Sequence, residues 1–238
     1  MENLTIITGA SSGLGKQLAE SMNPTTTVGI GRYFGESVWF KQVVFDIRDY
    51  ENYGTYISEK EQKINLVLCA GVLGKSGGLL DSSLSDWENT MKTNLFGNIA
   101  LIKAFLPAMI KNKYGRIVFV AGGGAAYGYP LFSGYALSKV AIVRAVENLS
   151  LEMKDKIKNF SIIALAPGAM ETRMLEEVRK AGAEIKTTVD IQETASFIKN
   201  FLSMKSKEAN KLSGKFIHIR DNLESEDFKD KWLLRRIE

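Results

Sequence analysis

The chain has little with which to cross-link itself or hold a metal. Its 238 residues include one cysteine, Cys69, and one histidine, His218. A lone cysteine closes no intramolecular disulfide, and neither residue has the partners of a metal-ligand set. At this length a buried core suffices without such staples. Prolines number only four, and no repeat, low-complexity tract or Pro/Ser-rich linker interrupts the chain. One domain over 1–220 is expected, followed by a charged tail, 221–238. No run approaches the roughly 20 apolar residues of a bilayer span, and Met1-Glu2-Asn3 lacks a basic leader. The cytoplasm is the expected location, without a membrane role. A net charge of +4 suits an anionic ligand but is ordinary, and Arg235-Arg236 is too short a run for nucleic acid.

What is present is alternation. Short apolar runs, Leu4–Thr8, Thr27–Ile30, Gln42–Phe45, Ile64–Cys69, Arg116–Val120, Ser161–Leu165 and Lys215–Ile219, read as seven strands. Their near-continuous apolar character implies burial on both faces. Helical periodicity covers about 13–22, 85–112, 134–157 and 190–204. Strand and helix in alternation predict an α/β fold, a doubly wound Rossmann-type seven-stranded parallel sheet flanked by helices.

Between the first strand and first helix stands Thr8-Gly9-Ala10-Ser11-Ser12-Gly13-Leu14-Gly15. Three glycines let the backbone turn tightly and approach a pyrophosphate, which meets the free N–H groups of the following helix. Ser11 and Ser12 add hydroxyl donors. The segment resembles the Thr-Gly-x-x-x-Gly-x-Gly signature of short-chain dehydrogenases/reductases. Tyr135-Ala136-Leu137-Ser138-Lys139 is similar to that family's Tyr-x-x-x-Lys. Asn94 in Thr93-Asn94-Leu95-Phe96-Gly97, and Pro167-Gly168 followed by Thr172, resemble two further signatures. All four fall in the family's order, across nearly the whole chain.

The cofactor is read at the end of the second strand. An acid there binds the ribose 2′-hydroxyl of NAD, whereas an arginine suits the 2′-phosphate of NADP. Gly29-Ile30-Gly31-Arg32 has no acid, and Arg32 follows at once, so NADP(H) is favoured over NAD(H). The resemblance implies an adenine contact at Asp46. It implies backbone approach to the ribose at Ala70 and Gly71, where Leu68-Cys69 replaces the family's paired asparagines. It implies that the loop carrying Pro167, Gly168, Met170 and Thr172 fixes the nicotinamide carboxamide.

Tyr135 and Lys139 lie four apart on a predicted helix and so share a face. An ammonium beside the phenol is expected to pull its pKa down from about 10, letting Tyr135 exchange a proton with an alcohol or carbonyl. In the family the lysine also holds the nicotinamide ribose, and Asn94 anchors the proton relay. The family's catalytic serine, thirteen residues before the tyrosine, is Gly122 here. Backbone N–H groups of the glycine run, or the hydroxyls of Tyr127, Tyr129 and Ser133, are candidate replacements.

The expected function is hydride transfer between NADP(H) and a small carbonyl or alcohol substrate, a sugar-derived one among the candidates. The alternative is a dinucleotide-binding regulatory or scaffolding protein of weakened activity, supported by Gly122. Arg173–Lys186 matches the family's substrate lid. Relatives pair their fourth and fifth helices, so a homodimer or homotetramer is expected. Phe96, Ile99, Leu101, Phe105, Leu106, Ala141, Ile142, Val146 and Leu149 are available for core and interface. His218 reads as a packed or edge residue, and Cys69 as a small core residue.

Overall fold

In a computed structural model, residues 3–35, 39–50 and 63–221 are described. The tail 222–238, with Trp232 and Arg235-Arg236, lies outside them. Seven strands, β1 (Leu4–Thr8), β2 (Thr27–Gly31), β3 (Lys41–Val44), β4 (Ile64–Leu68), β5 (Tyr114–Val120), β6 (Asn159–Ala166) and β7 (Phe216–His218), form one sheet in the order β3-β2-β1-β4-β5-β6-β7. Every pairing is parallel. The expected sheet is found, with strand ends within two residues of those read from the sequence.

Alternation along each central strand divides the core into two layers, as a period of two demands. Ile6, Leu66, Ile117 and Ile162 face α3 (Gly97–Lys111) and α4 (Ser133–Met153), meeting Leu101, Phe105, Ile142 and Val146. Ile7, Val67, Val118 and Ile163 face the other way, towards α1 (Gly13–Glu20), α6 (Ile191–Ser203) and α7 (Ser206–Leu212). There they meet Leu14, Leu18, Ile198, Phe201 and Leu212. Four residues assigned to core or interface are thus core. Phe96 is 50% exposed, and Leu137 and Leu151 stand out on α4.

The stretch read as one helix from 85 to 112 is more interesting. It runs as α2 (Leu84–Met91), a π-helical turn (Lys92–Phe96) and α3. Ser83 and Asp86 cap α2 reciprocally, each side chain bonding the other's backbone N–H. The sequence reading found no membrane-length segment. Leu84–Lys111 nonetheless holds an 18-residue window of mean hydropathy 1.3, long and apolar enough to cross a membrane by length and composition only. The apolarity has a local cause, because Leu101, Ile102, Phe105 and Met109 pack into the core. Two short helices, α5 (Arg173–Lys180) and α7, were not distinguished in the sequence.

One buried cation braces the second layer. Arg116 on β5 is 2% exposed. Its guanidinium donates to the carbonyls of Phe201 at 2.5 Å, Leu202 at 3.3 Å and Met204, at the end of α6. These carbonyls are the orphan acceptors of a helix C-terminus, the negative end of its dipole. Phe201 O also accepts the Met204 N–H at 3.3 Å, so Arg116→Met should strip the guanidinium donor chiefly from the Leu202 and Met204 carbonyls and cost about 2–4 kcal/mol. For a chain this long that lowers the melting temperature by roughly 5–10 °C, readable by calorimetry. An unchanged melting temperature would refute the bracing role.

Candidate active site

The sheet order reverses between β1 and β4, since β2 and β3 lie to one side and β5 to β7 to the other. Open α/β sheets carry their ligand crevice at this switch point, beyond the strands' carboxyl ends. A cavity of about 1210 Å³ opens there. Gly9, Ser12, Gly13, Leu14 and Gly15 line one end, and Arg32 adjoins them. Gly122, Tyr135, Lys139, Pro167, Gly168, Met170 and Thr172 line the other reaches. Ala70 and Gly71 form the wall between. Asp46, Asn94 and Ser11 are not part of this wall.

The glycine turn is tight because two backbones meet. Gly9 has φ +69°, and a Cβ on it would stand 2.9 Å from the Ala70 nitrogen. A Cβ on Gly15 would collide with the Gly9 carbonyl oxygen. The first turn of α1 contains no acidic residue, so nothing there opposes an anion at the positive end of the helix dipole. Across the cavity, Thr172 lies against Gly13, its Cγ2 3.6 Å from where a Cβ would be.

Arg32 is exposed at the end of β2. Ser11 flanks it, since its Oγ lies 3.2 Å from a Cβ built on Gly31. Asp46 is committed elsewhere. Arg48 grips its carboxylate through Nε at 3.0 Å and Nη2 at 2.6 Å, and donates its backbone N–H at 2.9 Å. That pairing, opposed by some burial and aided by Arg32, holds the Asp46 carboxyl below its ordinary value.

Asn94 is fully buried inside the π turn. Its Oδ1 accepts from Val72 N–H at 2.7 Å, and its Nδ2 donates to Val72 O and Ser138 Oγ, both at 2.9 Å. Ser138 Oγ donates to Tyr135 O at 2.6 Å. Asn94 therefore ties the segment after β4 to the first two turns of α4, where Tyr135 and Lys139 sit. Lys139 Nζ donates to Val120 O at 2.9 Å and stands 5.3 Å from the Tyr135 ring centre.

The electrostatics differ from the expectation that Lys139 lowers the Tyr135 pKa. Burial pushes the Tyr135 phenol well above its ordinary value, and the Tyr129 and Tyr127 phenols push the same way. Burial also brings Lys139 down to about 8. The ammonium is spent on a carbonyl and itself desolvated, so it does not offset the cost of a buried phenolate. Gly122 faces this pair, for a Cβ on it would stand 2.9 Å from Tyr135 Oη.

Several residues escaped the sequence reading. Asn98 on α3 is fully buried. Its Oδ1 accepts from Thr8 Oγ1 at 3.0 Å, and its Nδ2 donates to Ala70 O at 3.1 Å and Asn94 O at 3.1 Å. Thr8 Oγ1 in turn accepts from Ala70 N–H at 3.0 Å. This amide stands beside Leu68-Cys69, where the resemblance has paired asparagines, and that loss was the available signal. His218 lines the cavity; its Nδ1 accepts from Arg220 N–H at 3.2 Å. Arg220 also donates to Thr188 O at 2.9 Å, fastening the end of β7 to the segment after α5. Cys69 is half-buried in the cavity wall, and burial lifts its thiol to about 12, a poor nucleophile.

Sequence comparison places this geometry. The family described as short chain dehydrogenase matches residues 29–183. The chain is 28% identical over 187 residues to an NADPH-dependent pterin aldehyde reductase of Arabidopsis thaliana, covering 71% of this chain and 76% of that one. Among solved structures, ElxO with NADP bound superposes with a TM-score of 0.77 at 24% identity, covering 92% and 97% of the two chains. The aldohexose dehydrogenase of Thermoplasma acidophilum gives 0.78 at 21% identity, covering 91% and 92%. The chain belongs to the short-chain dehydrogenase family. It is an oxidoreductase of that family, built on a Rossmann-type fold.

If Asn98 fixes the wall between β1 and β4, Asn98→Leu strands Thr8 Oγ1 and Ala70 O. Leaving such groups unpaired costs about 1–3 kcal/mol, and NADPH affinity should fall roughly tenfold or more. Fluorescence titration reads the affinity; an unaltered value would remove Asn98 from the cofactor's support.

Proposed function

We propose that the chain is an NADP(H)-dependent reductase of small carbonyl compounds. The observation that carries this is one cavity joining an acid-free glycine turn and Arg32 at one end to Tyr135 and Lys139 at the other. The fit to a dinucleotide rests on this chain's own groups. Amides at the start of α1 are free for a pyrophosphate. Arg32 and Ser11 flank a place for a 2′-phosphate. Asp46, neutralised by Arg48, does not repel one. The Ala70-Gly71 wall leaves room for a ribose, Lys139 lies within reach of it, and the Pro167–Thr172 loop closes the nicotinamide end. The pterin aldehyde reductase and ElxO, by their names and bound ligand, support NADP for this chain as well.

When bound, the reduced cofactor supplies a hydride to the carbonyl carbon. Tyr135 supplies the proton to the oxygen. Its raised pKa keeps the phenol protonated before reaction, the state an acid needs. Lys139 holds positive charge beside it below about pH 8. Asn94 keeps the α4 turn in place through Ser138. The mixed wall of Tyr127, Tyr129, Glu177, Lys186 and Arg220 supports a polar, hydroxyl-bearing carbonyl substrate such as a sugar derivative. The exposed Phe96, Leu137 and Leu151 beside α3 and α4 support pairing with a second copy, and the cytoplasm is the proposed location.

A second reading, a dinucleotide-binding protein of weak activity, is favoured by Gly122 alone. The deciding experiment is NADPH oxidation by purified protein across ketones, aldehydes and keto-sugars. Turnover is expected, and Tyr135→Phe should abolish nearly all of it while leaving NADPH binding intact. Tight NADPH binding without turnover on any carbonyl supports the second reading. The pH profile has a stated sign. The free enzyme loses the Lys139 proton as pH rises through about 8, so kcat/KM for reduction should be flat below that value and fall above it. A rise across that range would contradict the role given to Lys139.

The coenzyme choice is tested separately at Arg32. Wild type should bind NADPH more tightly than NADH, and Arg32→Ala should weaken NADPH by about tenfold or more, the worth of a charge-assisted phosphate contact, with little change for NADH. Equal weakening of both would move the 2′-phosphate site elsewhere.

A further inference from the structure

The turn after β5 carries two tyrosines to which the reading above gives no chemical task. Tyr127 and Tyr129 line the same cavity as Tyr135. Two adjacent glycines make room for two phenol hydroxyls. A Cβ on Gly122 would crowd Tyr135 Oη at 2.9 Å, and a Cβ on Gly123 would collide with Tyr127 Oη. The Tyr129 ring centre lies 6.2 Å from that of Tyr135 and 5.4 Å from that of Phe132, which is buried. Tyr129 is thus braced on one side and faces the catalytic phenol on the other.

These hydroxyls are uncommitted. Among the described residues, the Tyr127 and Tyr129 hydroxyls have no hydrogen-bond partner in the protein. Of the other donors on this turn, those that follow the glycine run are already spent. The amides of Ala125, Ala126 and Tyr127 turn back onto the carbonyls of Gly122 and Gly123. Ser133 opens α4 and does not line the cavity. Burial and the nearby Tyr127 raise the Tyr129 pKa, so its phenol stays a donor at neutral pH.

We propose that the Tyr127 and Tyr129 hydroxyls donate the hydrogen bonds to the substrate's carbonyl oxygen that a side chain at Gly122 cannot. The proposal rests on the reductase reading and adds the groups that hold its substrate. The chemistry balances without a further reactant. Hydride enters at carbon, the C=O π pair moves to oxygen, and Tyr135 supplies the proton. Tyr127 and Tyr129 keep their protons and only stabilise the negative charge as it develops. Donors aimed at such an oxyanion act on the transition state more than on the bound ground state, so their loss should appear in kcat more than in KM.

The test uses the full chain, NADPH and the carbonyl compound it reduces fastest. Tyr127→Phe and Tyr129→Phe are made singly and together, with NADPH affinity and thermal unfolding as controls. The double variant should lose about 10²-fold in kcat, as an oxyanion donor's removal does, with NADPH affinity unchanged. If the double variant does not fold, the single variants carry the test, each expected to lower kcat several-fold. A wild type active on carbonyls with variants equally active overturns this assignment alone. A wild type that binds NADPH and reduces no carbonyl overturns the reductase reading and this assignment with it.

Discussion

The contact on which the site depends is that of the β1 and β4 ends across the reversal of the sheet. Gly9 turns away from β1 with no room for a side chain, because the backbone of Ala70 occupies that space. Thr8 closes the contact by accepting from the Ala70 amide and donating to Asn98, whose own amide reaches the Ala70 carbonyl. Everything at the cofactor end is measured from this junction. It aims the free amides of α1, sets the wall at Ala70-Gly71 and fixes where α3 begins. Parallel strands alone would leave these polar backbone ends unpaired in a buried place, at a cost comparable to a lost hydrogen bond each. One side chain from the neighbouring helix removes most of that cost.

The same element serves the catalytic end. Asn94 lies one helical turn before Asn98 and points its amide at Val72 and Ser138. Two buried amides on a continuous helical stretch thus connect the glycine turn with the turn of α4 that bears Tyr135. The π turn matters because its wider winding places an asparagine towards the protein interior just where α2 gives way to α3. The glycine-turn end and the Tyr135 end of the cavity are thereby held by one hydrogen-bonded framework rather than by independent loops.

Much of this was legible in the sequence, and the reasons are physical. The strands were readable because a sheet buried on both faces requires near-continuous apolar runs. The tight glycine turn and the placement of Tyr135 and Lys139 on one helix were readable because backbone sterics and helix pitch leave few solutions. Asn98 was not, because a lone amide in an apolar helix has no periodic signature; it became visible only once Cys69 stood where an amide was wanted. The π turn was hidden because its residues suit an α-helix equally well. The reach of Leu84–Lys111 towards membrane-like hydropathy reflects a helix packed against the sheet's apolar face. The sign of the Tyr135 shift was misread because spacing reports proximity to an ammonium and not the burial that both groups share.

That burial bears on the missing serine. Burial raises a phenol and lowers an ammonium together, so each group tends towards neutrality. Tyr135 therefore rests as the neutral phenol at ordinary pH. Burial also raises what a well-placed donor is worth, because an oxyanion forming in a desolvated place has no water to turn to. A site with Gly122 in the serine's position must therefore stabilise that charge from another direction or run slowly. The Tyr127 phenol occupies the space that a side chain on Gly123 would need, so on the proposed reading this glycine and the aromatic turn belong together.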